Sequence, residues 1–176
     1  MLNYSEIMKS IEEQMGFYAA YHQDGRNKAT HFIGVPAIIL ALMVPLAWLR
    51  VDLGGVAITA AMVITAVLLA YYLVLDLPLG LAMLVVMGLL LWAGDAIASL
   101  GALAGWIGFG MLFVGGWALQ LWGHKFEGRK PALVDNLFQI FVAPIFLAAE
   151  AFFALGYKPK LHAAVQERAL RLRAAA

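Results

Sequence analysis

Residues 120–136, QLWGHKFEGRKPALVDN, end a long apolar run and lead into a polar loop. In this stretch Gln120, His124 and Glu127 are spaced at i, i+4 and i+7, so their side chains lie on one face if the helix extends that far. We expect the helix to stop at Gly128, which is followed by a proline. An amide, an imidazole and a carboxylate aligned where an apolar helix meets water are typical of a metal site or an acid–base site.

The composition of the chain is that of a membrane protein. Of its 176 residues, 64% are hydrophobic and 13% are charged, and the mean hydropathy is +0.84. The charged residues lie mostly at the two ends, in the 124–130 loop and at 50–52. This pattern predicts a polytopic membrane protein. The net charge of +1 gives no reason to expect nucleic-acid binding, and the absence of cysteine excludes disulfides, thiolate metal sites and cysteine nucleophiles.

Five apolar runs are each about long enough to cross a bilayer, which takes about 20 residues. They lie at about 32–49, 55–75, 79–98, 102–122 and 137–156. If the fifth run does not cross, every Lys and Arg except Arg50 falls on one side, which the positive-inside rule favours. The fifth run also contains Pro144 and Glu150, both awkward in a simple span. We therefore predict an all-α polytopic bundle of four spans plus a fifth interfacial or re-entrant helix, with both termini cytoplasmic.

Amphipathic helices are predicted at both ends of this bundle. Over 3–22, apolar side chains recur at spacings of three and four, and the stripe they form ends at His22. The basic tail over 158–173 is typical of a helix lying on an anionic lipid surface. Its apolar stripe consists of Leu161, Val165, Ala169 and Leu172.

We accordingly interpret residues 1–176 as one integral-membrane domain. It comprises an amphipathic helix and turn over 1–30, the membrane bundle over 32–156 and the basic helix over 157–176. Within the bundle, the sequence Asp76-Leu77-Pro78 predicts a tight turn between the second and third runs.

Three of the four histidines are expected at one membrane face. His22 and His31 are nine residues apart, which on one unbroken helix is about 900° and leaves them on opposite sides. A turn at Asp24-Gly25 would let the two rings converge. Four crossings return His124 to the same face. Interfacial histidines can simply be tolerated in the headgroup region, but three together, accompanied by Gln120, Asn27 and Glu127, favour a metal site for Fe(II), Zn or Mn.

The role of Glu127 is left open by its position near a helix C-terminus, where the helix dipole disfavours a carboxylate. It could be a metal ligand or a partner of a histidine, or it could pair with a nearby cation. The candidate cations are Lys125, Arg129 and Lys130. We regard Glu127 and Gln120 as the candidate catalytic side chains. Glu150 joins them as a proton acceptor or ligand if the fifth run folds back, and His162 would reach the same face in that case.

Several motifs are distributed over nearly the whole chain. They are GFYAAYH (16–22), Asn27, HFIGVP (31–36), QLWGHKFEGRKPALVDNLFQ (120–139), VAPIF (142–146) and LGYKP (155–159). Together these motifs resemble one membrane family, the one that includes the fungal endoplasmic-reticulum 2-hydroxy fatty acid dioxygenase of phytosphingosine breakdown.

This resemblance implies an Fe(II)-dependent α-oxidation, in which a 2-hydroxy fatty acid and O2 give a fatty acid one carbon shorter. It implies that His22, His31 and His124 hold the iron, which the substrate can chelate through its carboxylate and hydroxyl. The candidate substrate-binding residues are Asn27, Lys125, Arg129 and Lys130. The expected location is a bacterial inner membrane, as the counterpart of the endoplasmic reticulum in eukaryotic relatives. Membrane lipid is an expected partner, and an oligomer is compatible with the sequence.

Two other classes of function fit the same histidines. A haem-binding membrane protein for electron transfer would show a Soret band. A lipid-binding or scaffold protein without oxygenase activity would purify free of metal.

Overall fold

Helices make up most of the computed structural model, which describes residues 9–175. The helices are α1 (Ile11–Ala19), α2 (Gly25–Trp48), α3 (Ala60–Leu75), α4 (Leu77–Ser99), α5 (Ala102–Glu127), α6 (Ala132–Asp135), α7 (Gln139–Ala154) and α8 (Pro159–Ala174). The predicted all-α class is confirmed. One short antiparallel hairpin is added to it, formed by β1 (Arg50–Leu53) and β2 (Val56–Thr59).

Three of these helices, α2, α4 and α5, are long and apolar enough to cross a membrane. They contain 24, 23 and 26 residues, whereas α3 and α7 are apolar but only 16 residues long. A helix of that length spans about 24 Å, less than the ~30 Å of a hydrocarbon core. The membrane character of the chain is supported, while the count of four spans plus a fifth helix stays a prediction.

The hairpin occupies the start of the predicted second span. Gly54 and Gly55 form its two-residue turn with φ of +61° and +89°, the left-handed conformation that such a turn requires. Thr59 then ends β2 and caps α3, because its hydroxyl accepts a hydrogen bond from the Met62 N–H at 3.2 Å. The span predicted from residue 55 is therefore helical only from Ala60 onward.

The N-terminal helix is shorter than the predicted 3–22. Ser10 is extended and forms a capping box with Glu13, in which each side chain accepts a hydrogen bond from the other residue's backbone N–H. The helix therefore starts at Ile11, and residues 3–8 of the prediction lie outside the described residues. It ends at Ala19, so His22 lies in the following turn and not on the helix, which corrects the prediction.

The chain divides into two compact units. Within the described residues, one unit contains residues 9–31 together with residues 121–175, and the other is Phe32–Gln120. In the second unit, helices approach closely where α2 and α5 both carry glycine. A Cβ atom added at Gly34 would lie 2.9 Å from the carbonyl oxygen of Gly116.

In the first unit, α8 packs on α1. Val165 and Ala169 are fully buried in this packing, and the aliphatic part of Arg168 covers Gly16 while its guanidinium pairs with Glu13 at 3.0 Å. The apolar stripe of α8 therefore contacts protein at Val165 and Ala169. The prediction that this stripe lies on a lipid surface is wrong for these two residues.

Candidate metal centre

Three imidazole rings meet inside the first unit. They belong to His22 in the turn after α1, His31 in α2 and His124 in α5, and all three are buried. One ring nitrogen from each lies within 4.8 Å of the others, and the ring centroids are 4.6 to 5.0 Å apart. The predicted convergence of these histidines is confirmed, and the cluster could hold a metal ion.

Backbone carbonyls fix the protonation of two of the rings. Nδ1 of His22 donates a hydrogen bond to the Tyr18 carbonyl at 2.7 Å, and Nδ1 of His31 donates to the Asn27 carbonyl at 2.9 Å. A carbonyl can only accept, so the proton of each neutral ring is on Nδ1 and Nε2 carries a lone pair. The two Nε2 atoms lie 3.1 Å apart. Two lone pairs facing each other at this distance repel unless a cation lies between them.

A proton shared between the two rings does not supply this positive charge. Burial lowers the pKa of His22 well below its ordinary value, and the neighbouring His31 ring lowers it further. The ring therefore stays neutral at physiological pH, which is the form that binds metals. In His124, the ring nitrogen Nδ1 is buried and has no hydrogen-bond partner within residues 9–175.

The donor set fits a transition-metal ion. The ligand nitrogens of the three histidines lie within 4.8 Å of one another, and the Nε2 atoms of His22 and His31 are 3.1 Å apart, so one ion with metal–nitrogen bonds of ~2.0–2.1 Å could be held by these residues. A metal could also bind a ring nitrogen of His124, which lies within 4.8 Å of the ligand nitrogens of the other two rings. Three imidazoles without a thiolate suit Fe, Zn, Cu or Ni.

Aromatic side chains enclose the cluster on one side. Tyr18 stacks on the His22 ring with centroids 3.9 Å apart, and Phe146 of α7 lies 4.7 Å from Tyr18 and 6.1 Å from His22. Burial raises the pKa of Tyr18, so its hydroxyl stays protonated. The sequence predictions missed both residues, although Tyr18 precedes His22 by one helical turn and Phe146 belongs to the VAPIF motif.

The whole of this cluster lies within a match to a known family. Residues 8–155 match the family model described as 2-hydroxy-palmitic acid dioxygenase Mpo1-like. The chain belongs to the Mpo1-like family. It is also similar to the 2-hydroxy-palmitic acid dioxygenase MPO1 of Saccharomyces cerevisiae, with 33% identity over 166 residues that cover 92% of this chain and 90% of the yeast protein. No solved structure matches the chain significantly. The predicted family resemblance is confirmed.

Glu127 of this Mpo1-like chain contacts backbone and not imidazole. Its Oε2 accepts hydrogen bonds from the backbone N–H groups of Gln23 at 3.0 Å and Asp24 at 2.8 Å, and from Asn27 Nδ2 at 3.2 Å. Its Oε1 accepts from Arg173 at 2.6 Å. Among the described residues, no histidine bonds to it. The cation that offsets Glu127 is Arg173, which corrects the prediction of Lys125, Arg129 or Lys130.

The other predicted polar residues have separate surroundings in the Mpo1-like structure. Gln120 is buried beside Gly34 in the second unit, where its Nε2 has no partner among the described residues. Asn27 is fully buried and donates through Nδ2 to the Tyr21 carbonyl as well as to Glu127. His162 stacks on Phe153 at 4.5 Å and is not one of the three clustered histidines.

The predicted carboxylate-binding cations lie after the histidine on α5. Lys130 forms an ion pair with Asp135, which also accepts a hydrogen bond from the Tyr21 hydroxyl at 2.6 Å. Burial and this hydrogen bond raise the pKa of Tyr21 to about 12. Lys125 lies over the Trp122 ring at 6.0 Å. Substrate binding by Lys125, Arg129 or Lys130 stays a prediction.

A different cation, Lys28, was missed by the sequence predictions. It forms a largely buried ion pair with Glu150 of α7 at 2.8 Å. Its charge is one of the influences that lower the pKa of His22. Glu150 is therefore engaged with Lys28, and its role as proton acceptor or ligand stays a prediction.

Proposed function

We propose that this chain is a membrane dioxygenase that converts a 2-hydroxy fatty acid and O2 into a fatty acid one carbon shorter, CO2 and water, at a metal held by His22, His31 and His124. One observation carries the proposal. Backbone carbonyls bond Nδ1 of His22 and of His31, which leaves both Nε2 atoms unprotonated, and these two atoms lie 3.1 Å apart beside a third buried imidazole. Membership of the Mpo1-like family and similarity to the yeast enzyme support the substrate class.

We infer Fe(II) as the metal. When bound, it would supply the redox chemistry and the open coordination positions that O2 and a chelating 2-hydroxy acid need. The protein's own contribution is to hold the rings. The carbonyls of Tyr18 and Asn27 fix two ring orientations and keep the Nε2 atoms unprotonated, which strengthens them as ligands. Tyr18 and Phe146 exclude water on one side of the cluster.

The substrate head would bind close to basic side chains. Asn27, Lys125, Arg129 and Lys130 remain proposed substrate-binding residues, and Gln120 and Glu127 remain proposed catalytic ones. The acyl chain would lie along apolar helices in the bilayer, which we propose to be a bacterial inner membrane with both chain termini on the cytoplasmic side.

The haem alternative is disfavoured by the lack of space. The three imidazole rings are buried and their centroids lie only 4.6 to 5.0 Å apart, which leaves no room for a macrocycle among them. A Soret band in the purified protein would nevertheless favour the haem class.

The proposal is tested by purifying the protein in detergent, measuring its metal content and supplying Fe(II), air and 2-hydroxypalmitate. We expect one equivalent of bound metal and release of the shortened acid. His22→Ala, His31→Ala and His124→Ala should each lose both metal and activity, because each removes one ligand. His162→Ala is the matched control, since this ring stacks on Phe153 outside the cluster. A wild-type protein that leaves the substrate unchanged, or full activity in His124→Ala, would overturn the proposal.

A further inference from the structure

The carboxylate of Glu127 lies at a junction of the segments that carry the three histidines. Its side chain is only 1% exposed. One oxygen, Oε2, accepts hydrogen bonds from the consecutive N–H groups of Gln23 and Asp24. These two groups follow His22 in a turn that is neither helix nor strand, so the carboxylate supplies the partner that secondary structure would otherwise provide.

The same carboxylate is linked to His31 through Asn27 and to His124 through the backbone of α5. Its Oε2 also accepts from Asn27 Nδ2, and the Asn27 carbonyl is the group that orients His31. On α5, Glu127 follows His124 by three residues, within one helical turn. A shift of Glu127 would therefore move the surroundings of all three imidazoles.

A buried carboxylate at a helix C-terminus needs a compensating positive charge, because burial and the helix dipole both disfavour it. Arg173 provides that charge from the last turn of α8. Its Nη1 donates to Glu127 Oε1 at 2.6 Å and to the Ala20 carbonyl at 3.2 Å. One guanidinium thus bonds both to the carboxylate and to the turn that carries His22.

The position of Arg173 is set by helix packing. Val165 and Ala169 are fully buried, and Arg168 pairs with Glu13 of α1. These contacts hold α8 along α1, so that Arg173, one turn beyond Ala169, reaches Glu127. The family match ends at residue 155, before α8 begins, and so does not include this residue.

We propose that Arg173 is a positioning residue of the metal centre: acting through Glu127, it holds the 20–24 turn and thereby places His22 against His31 and His124. The expected effect of Arg173 on metal binding rests on the proposed metal-binding function. The contacts of Arg173 themselves are independent of what the histidines bind.

The test compares Arg173→Gln with Arg171→Gln in the full-length protein in detergent. Arg171 is a matched control, because it lies on the same helix turn and pairs only with exposed Glu167 among the described residues. Co²⁺ is the probe, titrated by its absorption spectrum. Arg173→Gln should raise the Kd for Co²⁺ by about 10-fold, the lower end of what loss of a ligand-orienting contact costs. Arg171→Gln should leave it unchanged.

A second measurement needs no metal. Amide hydrogen exchange at Gln23 and Asp24 should become faster in metal-free Arg173→Gln, while exchange in α4 stays as in the wild type. Wild-type exchange at these amides together with a wild-type Kd for Co²⁺ would overturn the positioning role. If the wild type itself fails to bind Co²⁺, the proposed metal-binding function is wrong, and the exchange measurement still decides whether Arg173 holds the turn.

Should Arg173→Gln not yield folded protein, the double variant Glu127→Gln/Arg173→Gln replaces it, since it removes the buried charge together with its partner. We expect the same weakening of Co²⁺ binding in this variant. A wild-type Kd there would equally overturn the proposal.

Discussion

At the scale of single residues, the backbone decides what the histidines can do. His22 and His31 each donate through Nδ1 to the carbonyl of the residue four positions earlier. Each ring is thereby oriented by its own local segment, before any contact with the other ring. The pairing of two such rings at 3.1 Å then leaves two lone pairs aimed at one point. Local hydrogen bonds thus orient each ring, whereas a possible metal site forms only when the segments that carry the rings come together.

Gly123 is the residue at which a single methyl group should disturb this arrangement. A Cβ there would lie 2.5 Å from Asn27 Oδ1 and even closer to Thr30 Oγ1. Gly123→Ala should therefore push apart α2 and α5 beside His124 and lower the free energy of unfolding by about 1–3 kcal/mol. Thermal unfolding in detergent measures this. Gly115→Ala, in the same helix with open space around the added methyl, is the control and should be neutral. Equal effects of both variants would contradict the explanation.

At the scale of elements, an ion pair joins two of the helices that surround the site. The ion pair of Lys28 on α2 with Glu150 on α7 is largely buried, with side chains 22% and 12% exposed. Such a pair is costly to break from one side, because the remaining charge stays buried without a partner. The same two helices carry His31, one of the three clustered histidines, and Phe146, whose ring lies 6.1 Å from that of His22.

Lys28→Met should destabilise the protein by about 3 kcal/mol, because it leaves the Glu150 carboxylate buried and unpaired. The double variant Lys28→Met/Glu150→Leu should recover most of this loss, since it removes both charges. Denaturant unfolding in detergent measures the free energies. Arg171→Met, which breaks an exposed pair with Glu167, should cost less than about 1 kcal/mol. A double variant no more stable than Lys28→Met would show that the pair is not the cause.

At the scale of the whole molecule, the site joins segments that are distant in sequence. His22 and His31 come from near the start of the chain, His124 from a helix some 90 residues later, and Arg173 from the last described helix. A metal bound to all three histidines would act as a cross-link between α2, α5 and the turn after α1. Such a ligand stabilises the folded state by mass action.

Metal loading should therefore raise the Tm. At a metal concentration 100 times the Kd the gain is about 2.7 kcal/mol. For a chain of this size that corresponds to a rise of about 5–10 °C. Differential scanning fluorimetry with and without Fe(II) under nitrogen measures it. His22→Ala should show no rise, because one of the three ligands is missing. An equal rise in this variant would indicate that the metal binds elsewhere.

The membrane class and the meeting of the histidines could be predicted from the sequence, because both depend on local signals. Long apolar runs determine the candidate spans, and Asp76, which caps α4, ends one helix and starts the next as the sequence predicts. The Asp24-Gly25 turn separates His22 from the helix of His31, which allows the two rings to converge. These signals act over a few residues and are visible without tertiary structure.

Only the tertiary structure decided which partners the buried charges take. Arg173 pairs with Glu127 across 46 residues, although Lys125, Arg129 and Lys130 are nearer in sequence. The choice follows from the packing of α8 on α1, in which the basic tail contacts protein where a lipid surface was expected. A periodic apolar stripe indicates that a face is buried but not against what. Contacts between distant segments determine what packs on such a face and which partners the neighbouring charges take. A local sequence pattern contains no information about these contacts.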